Sequence, residues 1–181
     1  MHVSPPTHRS IAAAPTSIDD ARTACVKSGV IYWRSLCGAR RFPARDDLTL
    51  RGMAAILANC IIVEVINHGG DYEYRYVGEA QRLAFNTYFK GMRVTQIEAA
   101  ARSLGGILRA VYDRARLSGK PFIVRGPIDH DLPGDVFLYH ETAFLPLGIH
   151  DNNVDHLLIV GVQMPEPFWE LPDEKLKILA E

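Results

Sequence analysis

The sequence predicts an α+β fold: one five-stranded antiparallel sheet, strand order 2-1-5-4-3, with helices on its concave face and an N-terminal amphipathic helix. Three observations lead there. Patterned segments run in the order helix, helix, strand, strand, short helices, long helix, then three strands. The stretch CIIVEVINHGGDYEYRYVG reads as a hairpin, two β-rich runs around His68-Gly69-Gly70-Asp71. Leu157 to Val162 is apolar nearly throughout, which marks a strand covered on both faces and so central in its sheet. Hairpin and crossover lengths permit this order, with Tyr72–Val77 at an edge.

Size and composition set the frame. A length of 181 residues fits one domain, and 48% hydrophobic with 23% charged residues is ordinary for a globular chain. We divide it into a flexible tail (1–16), N-terminal helices and hinge (17–58), a core (59–166) and a C-terminal tail (167–181). A net charge of −1 argues against nucleic acid as a partner, because phosphate binding draws on a basic surplus. No run approaches the ~18–20 apolar residues of a membrane span. The opening MHVSPPTHRSIAAAPTS lacks the charged-then-apolar order of a secretory signal. Cys25, Cys37 and Cys60 are odd in number and widely spaced, which fits reduced thiols in a cytoplasm.

Each element has a local cause. Ser17 with Asp20 three residues on is a capping-box variant, so the first helix is expected over Ile18–Cys37. Its stripe Ile18, Cys25, Val26, Gly29, Trp33 and Leu36 recurs at helical steps. Gly38 stops it, and Arg40 and Arg41 follow at its negative end. Pro43 then breaks the chain. Asp46 or Asp47 can cap a short second helix with Leu50, Met53, Ala54, Ile56 and Leu57 on its buried face. GARRFPARDDLTL also contains an R-x-x-x-R pair, Arg41 and Arg45, of the sort that grips cyclic dinucleotides. No D-x-S-x-x-G partner occurs, and cations after one helix with anions before the next suffice as a hinge.

On the second strand Tyr72, Tyr74 and Tyr76 share one face by simple alternation. EAQRLAF is a short helix that Asn86 could end. Ile97, Ala101, Leu104, Ile107, Leu108, Val111 and Ala115 then stripe one long helix, weakened at Gly105-Gly106 by about 1 kcal/mol per glycine. Gly119 and Pro121 end it. The closing strands are PFIVRGPID, DVFLYHETAFLPLG and VDHLLIVGVQMP.

Three strings in this order carry a resemblance: YWRSLCGARRFPARDDL, YEYRYVGEAQRLAFNTYFKGMRV and YHETAFLPLG. They resemble the PAS fold, and within it the small stand-alone bacterial PAS proteins called type 5, over about residues 18–164. The resemblance implies a non-catalytic sensory or scaffolding domain in bacterial signalling. Such domains bind a small molecule between sheet and helices, or pair with protein partners and often with a second copy. It supplies no established ligand and no binding residues to carry over.

Chemistry was weighed residue by residue. PAS domains that hold haem use a histidine of the long helix, and Ile97–Ser118 has none; photosensor cysteines follow the first hairpin, and no cysteine follows Cys60. Neither haem nor flavin is expected, and an unidentified small molecule remains open. His130, His140, His150 and His156 lie near Asp131, Glu141, Asp151 and Asp155, a zinc-capable set that turn histidines explain more simply. Glu141 shares its strand face with Phe137, Tyr139, Ala143, Leu145 and Leu147, so its charge needs either internal pairing or a ligand. A bulge would turn His140 inward instead. The ligand-binding set expected on the concave face is Tyr74, Tyr76, Phe85, Val111, Tyr139 and Glu141. Trp33 and Leu36, on the helix expected to cover the sheet's outer face, are the expected partner interface of a homodimer. The rival class is a small pocket enzyme of the ketosteroid-isomerase-like cone fold.

Overall fold

In the computed structural model, residues 14–85, 88–127 and 139–164 are described. Expectations for residues 1–13, Asn86, His130, Asp131, Phe137 and the tail at 167–181 lie outside them.

Strands β1 (Cys60–Ile66), β2 (Asp71–Val77), β3 (Phe122–Pro127), β4 (Tyr139–Leu147) and β5 (His156–Met164) form one sheet in the order β2-β1-β5-β4-β3. Every neighbouring pair is antiparallel. The apolar run of β5 is central, as its two-sided burial demands, and β2 is an edge. Helices α1 (Ala24–Cys37), α2 (Glu79–Phe85), α3 (Val94–Ala100) and α4 (Arg102–Ser118) complete the chain.

Register sorts the side chains onto two faces. Opposed residues share a face, so Cys60, Val160 and Ala143 line up, as do Ile62, Leu158 and Leu145. This is the outer face, because Gly29 of α1 sits directly over Val160. Trp33 is 4% exposed and donates its indole N–H to the Pro146 carbonyl at 2.8 Å. The N-terminal helix therefore covers the outer face as its amphipathic stripe requires. The opposite set, Val63, Leu157, Phe144 and Phe122, faces α4, whose Tyr112 packs on Phe144.

Both edges are blunted. Tyr74 of β2 exchanges backbone hydrogen bonds with Gly91 and Met92. Ile123 of β3 exchanges two with Thr16, which belongs to the stretch expected to be tail.

Three helical expectations change. The first helix starts later: Ile18–Asp20 is a 3-10 turn, and Thr23 caps α1 by accepting from Val26 N–H. The second helix is replaced by turns. Tyr32 Oη takes the Thr49 N–H and Thr49 Oγ1 takes the Gly52 N–H, a cap-like start that is not propagated into a helix. Met53 and Ile56 are still buried, but Leu50 is 72% exposed. The long helix is two helices, broken at Ala101 (φ −146°, ψ 85°), and α3 folds back against α4. Gly105 permits that crossing, for a Cβ there would lie 2.2 Å from Glu98 Cγ and 2.6 Å from Glu98 Cα.

The charged stretch after α1 is held by local pairs, although no second helix follows it. Gly38 has φ +57°, Arg40 pairs with Asp47 at 2.6 Å, and Arg41 is tied to Asp151 and to the Ser118 carbonyl. At the hairpin, positive φ falls on Asn67, His68 and Gly69 rather than on both glycines.

Candidate ligand site on the concave face

The six residues expected to line one pocket are divided between the two faces. Tyr74 opposes Val63 and faces α4. Tyr76 opposes Ile62, because the register shifts by one residue between Ile62 and Val63. The bulge at Arg75 thus puts Tyr76 on the outer face, where its hydroxyl donates to the Leu57 carbonyl at 3.0 Å. Glu141 opposes Val162 and Arg125, so it too is an outer-face residue, and Tyr139 shares its parity. Phe85 ends α2 and packs edge-on against Phe89 at 5.6 Å. Val111 is half-buried on α4. Alternation correctly groups Tyr139 with Glu141, but their common face is the one under α1.

Glu141 is 0% exposed and fully paired within the fold. It accepts from the backbone N–H of Arg22 and of Thr23, both at 2.8 Å, and from the Thr23 hydroxyl at 2.6 Å. Arg125 adds Nε at 3.1 Å and Nη2 at 2.8 Å. This carboxylate anchors the start of α1 and leaves nothing for a ligand. Trp33, expected at a partner interface, is buried against its own sheet, and Leu36 is half-buried beside it.

The concave face has two zones. Under α4 it is packed with rings. Tyr74 stacks on Phe89 at 5.5 Å, Phe144 on Phe122 at 5.1 Å, and Tyr72 meets Tyr112 edge-on at 5.3 Å. The hydroxyls of Tyr74 and Tyr112 lie 2.9 Å apart, and burial pushes both phenols well above their ordinary pKa.

Where β4 begins and β5 ends, the same face turns polar. His140 opposes Gln163 and Thr142 opposes Gly161, which puts the four positions on two adjacent rungs. Gln81 reaches in from α2, donating to the carbonyls of Gly161 at 2.6 Å and Asn59 at 3.1 Å. Its amide oxygen accepts from Gln163 Nε2 at 2.9 Å, and His140 Nδ1 lies 3.0 Å from Thr142 Oγ1. A Cβ at Gly161 would come within 2.9 Å of Thr142 Oγ1, so the bare glycine is what lets these side chains meet.

Gln81, His140, Thr142 and Gln163 are therefore the candidate site. They supply amide, imidazole and hydroxyl groups, donors and acceptors without a fixed charge. A carboxylate, lysine or thiol does not enter these contacts among the described residues. Such a set can orient a neutral polar molecule. Sequence reading missed Gln81, Thr142 and Gln163. The usable signal was parity on the last strand, where Ile159, Gly161 and Gln163 share a face that turns polar at its end. Gln81 had no such signal: it is buried while Leu83 on the same helix is exposed, the reverse of their hydropathy.

Among the described residues no group of three or more His, Cys, Asp and Glu could hold a metal ion. His156 instead bonds its neighbour Asp155 at 2.7 Å. Burial pushes the Cys25 thiol up to about 11 and that of Cys60 up to about 12, so both are protonated at neutral pH. Among the same residues no helix is long and apolar enough to cross a membrane. No family model, curated protein or solved structure matches the chain.

Proposed function

We propose that the chain is a non-catalytic sensory or scaffolding domain of the PAS type in bacterial signalling, acting in the cytoplasm by binding a small molecule, a signalling protein, or both, as a homodimer. The observation that carries this reading is a sheet of order β2-β1-β5-β4-β3 whose helix-covered face ends in the uncharged cluster Gln81, His140, Thr142 and Gln163. The rival cone-fold enzyme reading rests on a buried Asp or His in the pocket, with Glu141 as the carboxylate to test. Glu141 is paired beneath α1, which removes the carboxylate arm of that reading.

Native mass spectrometry of freshly purified protein, beside a denatured extract, tests the ligand arm. The expected result is a non-covalent adduct that is lost on denaturation and depleted in His140→Ala and Gln163→Ala. An adduct retained equally in both variants would place the ligand elsewhere. The protein is expected to be colourless, with no absorbance beyond the aromatic band. A Soret band, or flavin fluorescence released on denaturation, would overturn the expectation of neither haem nor flavin.

A further inference from the structure

A cleft of about 620 Å³ lies beside the β3 edge, where Thr16 pairs with Ile123 and α4 gives way to the strand. Its walls include Thr16, Arg114, Leu117, Lys120 and Phe122. Three features of this wall are left over from the fold. Leu117 is 72% exposed and adds apolar surface to this wall. Thr16 Oγ1 is buried without a hydrogen-bond partner, the one such side-chain atom among the described residues. Arg114 and Lys120 are both exposed, and neither is in an ion pair among the described residues, although Arg114 lies over the Phe122 ring at 5.3 Å. An apolar floor flanked by two cations and an unfilled hydroxyl fits a segment that is apolar and acidic at once.

The chain contains one. Residues 165–181, outside the described set, read PEPFWELPDEKLKILAE, with five carboxylates against two lysines and with Phe168, Trp169, Leu171 and Leu176 between them. The segment follows Met164, which opposes Tyr139, which in turn opposes Pro127 at the far end of β3. Five residues along β3 at ~3.3 Å and two strand spacings of ~4.8 Å put the cleft roughly 20 Å away. About seven extended residues span that distance. Asp173 and Glu174 then fall within reach of Arg114 and Lys120, with Leu171 or Leu176 available to Leu117.

We propose that this cleft holds the chain's own acidic C-terminal segment through carboxylate contacts to Arg114 and Lys120 and apolar contact with Leu117. The test is acrylamide quenching of Trp169 in the full chain. The other tryptophan, Trp33, is buried and contributes a weakly quenched background. Quenching of Trp169 should be several-fold slower than in a synthetic peptide of residues 165–181. Arg114→Glu with Lys120→Glu should raise it to the peptide's rate. Adding Asp173→Lys and Glu174→Lys to that chain should restore the protection, which also shows that the variant folds. The proposal is overturned if Trp169 in the unmodified chain is quenched as freely as in the peptide, or if its protection survives the charge reversal. It is equally overturned if added peptide binds the full chain at this cleft, for the cleft would then be open to an acidic segment of another molecule.

Discussion

Each helical layer is fastened by one buried carboxylate, and the two layers are secured differently. On the outer face Glu141 gathers the backbone of Arg22 and Thr23, the Thr23 hydroxyl and the Arg125 guanidinium. Thr23 is at once its donor and the cap of α1, so one side chain from mid-sheet fixes where the whole outer helix starts. On the inner side Asp71, at the start of β2, takes the Thr95 N–H and hydroxyl in the first turn of α3, and Arg109 of α4 lies 3.4 Å away. There the acid is one fastening among several. The α3–α4 crossing at Gly105 and the ring cluster around Tyr112 hold the same layer. A single pin concentrates the consequence of its loss, and a distributed layer dilutes it.

The largest expected effect follows. Glu141→Ala leaves two backbone amides and a hydroxyl without their acceptor, and Arg125 with only the Asp20 carbonyl. Removing one member of a buried pair costs about 3–5 kcal/mol. In a chain of this size that is a fall in Tm of roughly 6–20 °C. Hydrogen exchange should rise first along α1. Protection of α1 unchanged in the variant would refute the single-pin account.

Much of this arrangement could be read beforehand. The continuous apolar run of β5 places it centrally because such a strand has no wet face, and the same run requires the N-terminal helix outside. What alternation cannot tell is which face is concave, since it orders residues into two sets without naming either. Glu141 and Tyr139 do share a face, but for that reason the expectation of the concave side fails. Tyr76 was lost to a different cause: one extra residue at Arg75 inverts parity with no mark in the local sequence. The break at Ala101 was hidden because α3 and α4 keep one helical stripe across it. The candidate cluster was the least legible part, because Gln81 is buried by what it bonds and not by what it is.

A pair of neighbouring glycines sharpens the contrast within the inner layer. In Gly105→Ala the new methyl meets Glu98, including backbone that cannot step aside, so overpacking of about 1–3 kcal/mol outweighs the gain in helix propensity. Gly106 has open space where its Cβ would go, and Gly106→Ala should stabilise by roughly 0.5–1 kcal/mol. Urea midpoints of the two variants should move in opposite directions. Equal shifts would mean that the α3–α4 crossing is looser than described.

Asp71→Asn has a similarly small effect, and pH separates it from the rest. Burial pushes the Asp71 carboxyl up, but hydrogen bonds from Thr95 and the Tyr72 N–H, with the charge of Arg109, outweigh it and hold the group below its ordinary value. A carboxyl lowered in the folded state contributes stability above its unfolded pKa of about 3.9, and loses it as pH falls through the folded value. The native chain should therefore exceed Asp71→Asn by about 1 kcal/mol near neutrality, the worth of an ordinary cap. That margin should hold down to about pH 5, shrink below about pH 4 and close once both states bind the proton. Denaturant melts of the two proteins across this range measure it directly. A margin that widens on acidification would mean that the folded carboxyl is raised, and that Asp71 burdens the inner layer instead of fastening it.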